Sequence, residues 1–167
     1  MHLKGQVAVV HGKRGWIGRL VQLIDGTHWN HTVVRLNDNE CMSAEPGGAL
    51  IRPITFYDTD HELVWSQFDL DDTEAELIAE WARNHEGTPY SWGDFIAAGL
   101  ARITGRATPK WLRRITGDPD RLICSQLCDL ALQEGGVHLF QDERPLGAVT
   151  PGSFGRRFHA LGWADRD

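Results

Sequence analysis

Apolar positions change their spacing part-way along this chain. In the first part they come as short runs or alternate with polar residues. In the second they recur every three or four positions. Residues 6–10 read as a strand, ended by His11-Gly12, and Gly12-Lys13-Arg14-Gly15 reads as a turn. Trp16, Ile17, Leu20, Val21 and Ile24 then recur at helical spacing, and Asp25-Gly26 closes that helix. Residues 31–36 and 40–44 flank Asn37-Asp38-Asn39, turn chemistry that predicts a β-hairpin. Pro46-Gly47-Gly48 breaks it. Residues 49–54 and 62–70 are two further predicted strands.

Beyond them the pattern is helical. Thr73 with Glu76 fits a capping box, Leu77, Ile78, Trp81 and Ala82 follow on one face, and Gly87 ends the helix. Ser91 heads a second predicted helix carrying Phe95, Ile96, Leu100 and Ile103, stopped by Gly105. A short basic piece, residues 110–115, leads to Asp118-Pro119-Asp120. It mixes charge with Trp111 and Leu112 and reads as a solvated helix packing those two inward, too short for a membrane-surface helix. A third helix is expected from near Cys124 to Gly135-Gly136. The glycine- and proline-rich tail is expected to wrap the surface. Together the elements predict an α+β fold, a small antiparallel β-sheet or partial barrel packed against helices, as a single domain over residues 1–167.

Composition narrows the class without changing that picture. The 167 residues are 41% apolar and 24% charged, which sets aside disorder and coiled coil. No apolar run approaches the ~18–20 residues of a membrane span. The N-terminus carries no secretory signal, so the expectation is a chain cytoplasmic on synthesis with no stable membrane insertion. A net charge of −6 argues against a general nucleic-acid binder. The three cysteines, Cys41, Cys124 and Cys128, are too few for a disulfide framework and are expected reduced.

The candidate chemistry centres on Cys124. It falls where an extended approach meets a helix N-terminus, whose unpaired N–H groups and dipole favour a thiolate and can help hold an oxyanion. Cys128, one turn on, shares a stripe with Leu127 and Ala131 and reads as a core residue. Cys41 has no assigned role. A nucleophilic cysteine needs a base, and His31 opens a strand, a rigid place from which to aim a ring. If Asn37-Asp38-Asn39 is a three-residue loop, Leu36 faces Glu40. His31 then lies opposite Glu45, with Ser43 one pair away on the same face. A two-residue turn would move both residues to the other face. The C-x-x-C and H-x-x-x-H spacings of metal sites are absent, so neither metal nor cofactor is expected. Gly12-Lys13-Arg14-Gly15 lacks the order of a phosphate loop.

Several segments together resemble the permuted members of the NlpC/P60 papain-like superfamily, the YiiX/YebB-like group. Residues 5–10 resemble its opening strand, with Gln6 in place of the usual Asp. Trp29-Asn30-His31-Thr32-Val33-Val34 resembles the strand bearing the family's histidine, and Ser43-Ala44-Glu45-Pro46-Gly47-Gly48 the next strand. Gly87-Thr88-Pro89-Tyr90 resembles the segment before a helix, and Ile123-Cys124-Ser125-Gln126-Leu127 the helix start of the nucleophile. The resemblance implies a circularly permuted papain-like fold with Cys124 as nucleophile and His31 as base. The third catalytic member is Glu45, Ser43 or a water, because Ser43 stands where the family often has glutamate. Tyr90 is implied as a hydroxyl near the oxyanion.

The function so implied is a cysteine hydrolase, a thiol peptidase or amidase on a peptide or peptidoglycan-like substrate. A phage tail or other delivery apparatus would carry it to such a target, within a larger protein assembly. The alternatives are a catalytically retired module with a binding or structural role, and a lipid acyltransferase or esterase.

Overall fold

A computed structural model describes residues 3–13, 16–90, 122–140 and 149–167. The expected helix from Ser91 to Gly105, the basic piece at 110–115, Asp118-Pro119-Asp120 and the Arg14-Gly15 part of the first turn lie outside the described residues. The fold is α+β. Five strands, β1 (Val7–Gly12), β2 (His31–Arg35), β3 (Glu40–Glu45), β4 (Gly48–Pro53) and β5 (His61–Trp65), form an open antiparallel sheet in the order β4-β3-β2-β1-β5. Helices α1 (Trp16–Asp25), α2 (Asp72–Asn84), α3 (Cys124–Glu134) and α4 (Pro151–Ala160) accompany it. Among the described residues no helix is long and apolar enough to cross a membrane.

Strand residues alternate between two faces, and here both faces are covered. Val7, Val9, Val34, Leu36 and Met42 join the large core with Ile78, Leu127, Leu132, Phe154 and Phe158 of the helices. Ala8, Val10, Val33 and Cys41 form a smaller core under Tyr57 of a 3-10 turn, Ile54–Tyr57. That double burial explains why the β1 sequence is a continuous apolar run.

The hairpin has the register expected of a three-residue loop. Val33 pairs Ser43, Val34 pairs Met42, Arg35 pairs Cys41, and the Leu36 N–H donates to the Glu40 carbonyl. Asn37 closes the loop, its Oδ1 accepting from the N–H groups of Asn39 and Glu40. Elsewhere the expectations need correction. β1 runs through His11 and Gly12 because Glu62 and His61 of β5 pair with them. β5 stops at Trp65 instead of running to Leu70. The buried Gln6 side chain bonds Phe68 there, donating to its carbonyl and accepting from its N–H. Asp71, not Thr73, caps α2, with Glu74 reaching back to complete the box. Leu77 faces outward at 40% exposure, while Ala75, Ile78, Ala79 and Ala82 form the buried stripe. The tail does not simply wrap the surface. It forms α4, capped by Thr150 with proline in the first turn and burying Phe154 and Phe158.

α4 packs unusually close to the indole of Trp29, which is fully buried. A Cβ at Gly155 would lie 2.1 Å from Trp29 Cδ1. Neither a core indole nor a helix axis yields cheaply. Gly155→Ala is therefore expected to lower unfolding stability by ~1–3 kcal/mol, the cost of overpacking. A lower urea midpoint at unchanged m-value would show it.

Candidate active site

Three elements and one isolated bridge bring the sequence-predicted residues to one end of the sheet. His31 is the first residue of β2, and Ser43 and Glu45 lie on β3. Cys124 is the first residue of α3, entered from extended Ile123 with no side-chain cap. Tyr90 reaches the same place through a bridge to Leu122, two residues before Cys124. His31, Cys124, Tyr90 and Glu45 line one pocket of about 200 Å3.

The hydrogen bonds there form a single line. His31 Nε2 lies 2.8 Å from Ser43 Oγ, and Ser43 Oγ donates to Glu45 Oε1 at 3.0 Å. Tyr57 Oη donates to the same Ser43 oxygen at 3.1 Å. A hydroxyl has one proton to give and two lone pairs. With its proton on Glu45 and one lone pair taken by Tyr57, Ser43 accepts from His31, which places a proton on Nε2. Nδ1 is then the nitrogen left for Cys124, which hydrogen-bonds the same ring. Arg52 grips Glu45 through both carboxylate oxygens, Nε to Oε1 at 3.1 Å and Nη2 to Oε2 at 2.8 Å. The Arg52 guanidinium also lies 4.7 Å from the centre of the Phe56 ring.

Charge follows from this geometry. Burial pulls the His31 pKa down, but the Cys124 thiolate, its hydrogen bond and the Glu45 charge carry it above the usual histidine value. Burial pushes the Cys124 thiol up, yet the His31 charge and hydrogen bond, with hydrogen bonds from Thr32, hold it below the ordinary thiol value. The pair thus favours thiolate and imidazolium. Burial raises Glu45, but the Arg52 and Ser43 hydrogen bonds outweigh it, and the carboxyl stays ionised. Burial raises Tyr90 and Tyr57, so both phenols keep their protons at neutral pH. Burial likewise pushes Cys41 up to about 12 and raises Cys128 well above the ordinary value. All three cysteines are free.

No protein-family model matches the sequence, and no curated protein matches it either. Among solved structures, the crystal structure of the metalloprotein yiiX from Escherichia coli O157:H7 is similar, with a TM-score of 0.59 and 16% identity. The match covers 94% of this chain and 82% of that one. The likeness is one of fold. It agrees with the α+β arrangement expected from the sequence. That protein is named a metalloprotein. Among the described residues of this chain, no three His, Cys, Asp or Glu side chains gather as metal ligands. His31 already engages Ser43 and Cys124, a poor donor set for a resident ion.

Three groups at or beside the pocket escape a reading of the sequence. Tyr57 supplies the second bond to Ser43, Arg52 holds Glu45, and His61 lines the pocket from the start of β5. Arg52 was legible only as a basic residue on a strand. Its reach to Glu45 depends on the Pro46-Gly47 hairpin, which pairs Glu45 with Gly48 and Cys41 with Arg52. Tyr57 sits in a turn that carries no strong pattern. Asn30 is structural as well as pocket-lining, exchanging both hydrogen bonds with the Gly12 backbone.

Proposed function

We propose that this chain is a cysteine hydrolase acting on amide bonds, with Cys124 as nucleophile and His31 as acid and base. The observation that carries this reading is the continuous Cys124–His31–Ser43–Glu45 line along one pocket, with the imidazole tautomer dictated by Ser43. The thiolate attacks the substrate carbonyl and forms a C–S bond, and the carbonyl π pair becomes an oxyanion. The Cys124 backbone N–H at the start of α3 and the Tyr90 hydroxyl are the donors for that oxyanion. The protonated His31 gives its Nδ1 proton to the leaving nitrogen as the C–N bond breaks. Neutral His31 then takes a proton from water, whose oxygen attacks the thioester, and collapse releases the acid and restores the thiolate. Ser43 and Glu45 act through His31. They hold its ring and balance the imidazolium charge. Glu45 is thus the carboxylate end of the line and Ser43 the link, in place of a direct histidine–carboxylate contact.

The substrate class follows from the earlier resemblance, a peptide of the cell-wall type. Incubation with purified wall peptides is expected to release new amino termini, and Cys124→Ala to release none. Release that survives Cys124→Ala would refute the reading. Transfer of a labelled lipid acyl chain to Cys124 without peptide cleavage would replace it with the acyltransferase alternative. Tyr90→Phe is expected to lower kcat about tenfold with KM little changed, the worth of one hydrogen bond made in the transition state. Steady-state kinetics on the same peptide would check it.

A further inference from the structure

The pocket holds a second histidine that the hydrolytic line does not use. β2 and β5 both flank β1, and each opens with a histidine at the same end of the sheet. Val10 pairs His31 on one side and Leu63 on the other, and Gly12 pairs His61. By alternation His31, Val10, Leu63 and His61 share one face. The His61 ring packs edge-on against Tyr57, with ring centres 5.2 Å apart. Its Cδ2–Nε2 edge lies over Gly12, where a Cβ would approach within 3.1 and 3.3 Å. Gly12 also lines the pocket, so its missing side chain leaves room at that edge of the ring.

His61 Nδ1 is buried and has no hydrogen-bond partner among the described residues. Burial and the nearby His31 charge both lower the ring's pKa, so it is neutral at neutral pH. A buried polar atom without a partner costs stability, and an apolar residue of similar size would avoid that cost. The same wall has Val10, Val21 and Phe56, which suit a hydrocarbon chain without help. A polar ring among them serves a ligand that carries a polar atom.

We propose that His61 is a substrate-binding residue that donates from Nε2 to a carbonyl of the acyl moiety, selecting peptide-like acyl groups over plain alkyl chains. This rests on the hydrolase reading of Cys124. The contact requires the proton on Nε2, leaving Nδ1 as a bare lone pair in its buried position.

Two esters of equal chain length test it, the p-nitrophenyl esters of N-acetylglycine and of pentanoic acid. The wild type is expected to favour the N-acetylglycyl ester in kcat/KM. His61→Leu should lose about tenfold on that ester, mostly through KM, and less than about twofold on the pentanoyl ester, the difference of one hydrogen bond. His61→Gln, which keeps a donor, should recover part of the loss. Iodoacetamide labelling of Cys124 should be unchanged in both variants, and the melting temperature of His61→Leu should not fall. Equal losses on the two esters, with Cys124 still acylated, would overturn the His61 assignment alone. If neither ester acylated wild-type Cys124, the hydrolase reading would be overturned and this inference with it.

Discussion

Limiting iodoacetamide at about pH 6 is expected to label Cys124 in the native protein and to spare Cys41 and Cys128. An ordinary thiol of pKa ~8.5 is only about 0.3% thiolate at that pH. Cys41 is pushed up to about 12 by burial, and burial raises Cys128 well above the ordinary thiol value. Cys124 alone is lowered, and it lines the pocket although its own surface is 4% exposed. The cause is His31. In His31→Ala the burial of Cys124 acts without its compensating charge, so the thiol rises and labelling at this pH should fall by on the order of 10²-fold. The pH profiles separate the two roles of the pair. Alkylation needs only thiolate, so it should rise through the depressed Cys124 value and then hold. Hydrolysis also needs the imidazolium proton, so it should fall again as pH rises through the raised His31 value. Slow labelling of Cys124 in both proteins, with the fold intact, would mean that no thiolate–imidazolium pair exists and would leave the retired-module alternative.

Ser43→Ala is expected to damage stability and activity together. The serine is fully buried and saturated, accepting from His31 and Tyr57 and donating to Glu45. Its removal leaves the His31 Nε2–H and the Tyr57 hydroxyl without their acceptor. Each unpaired buried group costs ~1–3 kcal/mol, so the unfolding free energy should drop by about 2 kcal/mol or more. Glu45 loses less, because Arg52 still holds both its oxygens. Catalysis suffers for a separate reason. Without an acceptor at Nε2 the ring is free to carry its proton on Nδ1, the wrong nitrogen to receive one from Cys124. The expected loss in kcat/KM is on the order of 10²–10³, short of the ~10⁴ that follows when a directly bonded carboxylate is neutralised. Ser43→Thr keeps the hydroxyl and should retain most of the activity. If Ser43→Ala were as active and as stable as the wild type, the line from His31 to Glu45 would have no function.

Several parts of the site were readable before any tertiary contact was known, because their causes are local. The turn residues between Leu36 and Glu40 admit a three-residue loop, and loop length dictates register. That loop length, which the structure has, puts His31, Ser43 and Glu45 on one face of the hairpin, whereas a two-residue turn would not. Cys124 at the start of α3 follows from helical spacing that begins there and ends before Gly135. The capping of α2 was misplaced by two residues. Asp71-Asp72-Thr73 offers adjacent capping side chains, and the choice among them depends on where the chain arrives from Leu70. Glycine and proline mask the helical pattern of α4. Pro151 sits in the first turn, where a helix tolerates it, and Gly155 is there to admit Trp29.

Local pattern in the chain accounts for an antiparallel hairpin and for a helix that begins on a cysteine, and it makes the alignment of His31 with Ser43 and Glu45 conditional on a three-residue loop. Long-range packing brings these together, links the histidine to the carboxylate through Ser43, and adds Arg52, Tyr57 and His61. The reason is the range of the forces involved. Turn geometry and helical spacing act within a few residues and leave a pattern in the chain. The pairing of β5 with β1, and the packing of α3 on the sheet, join segments far apart in sequence through burial. Burial rewards apolar area without naming which distant polar side chain comes to rest beside it.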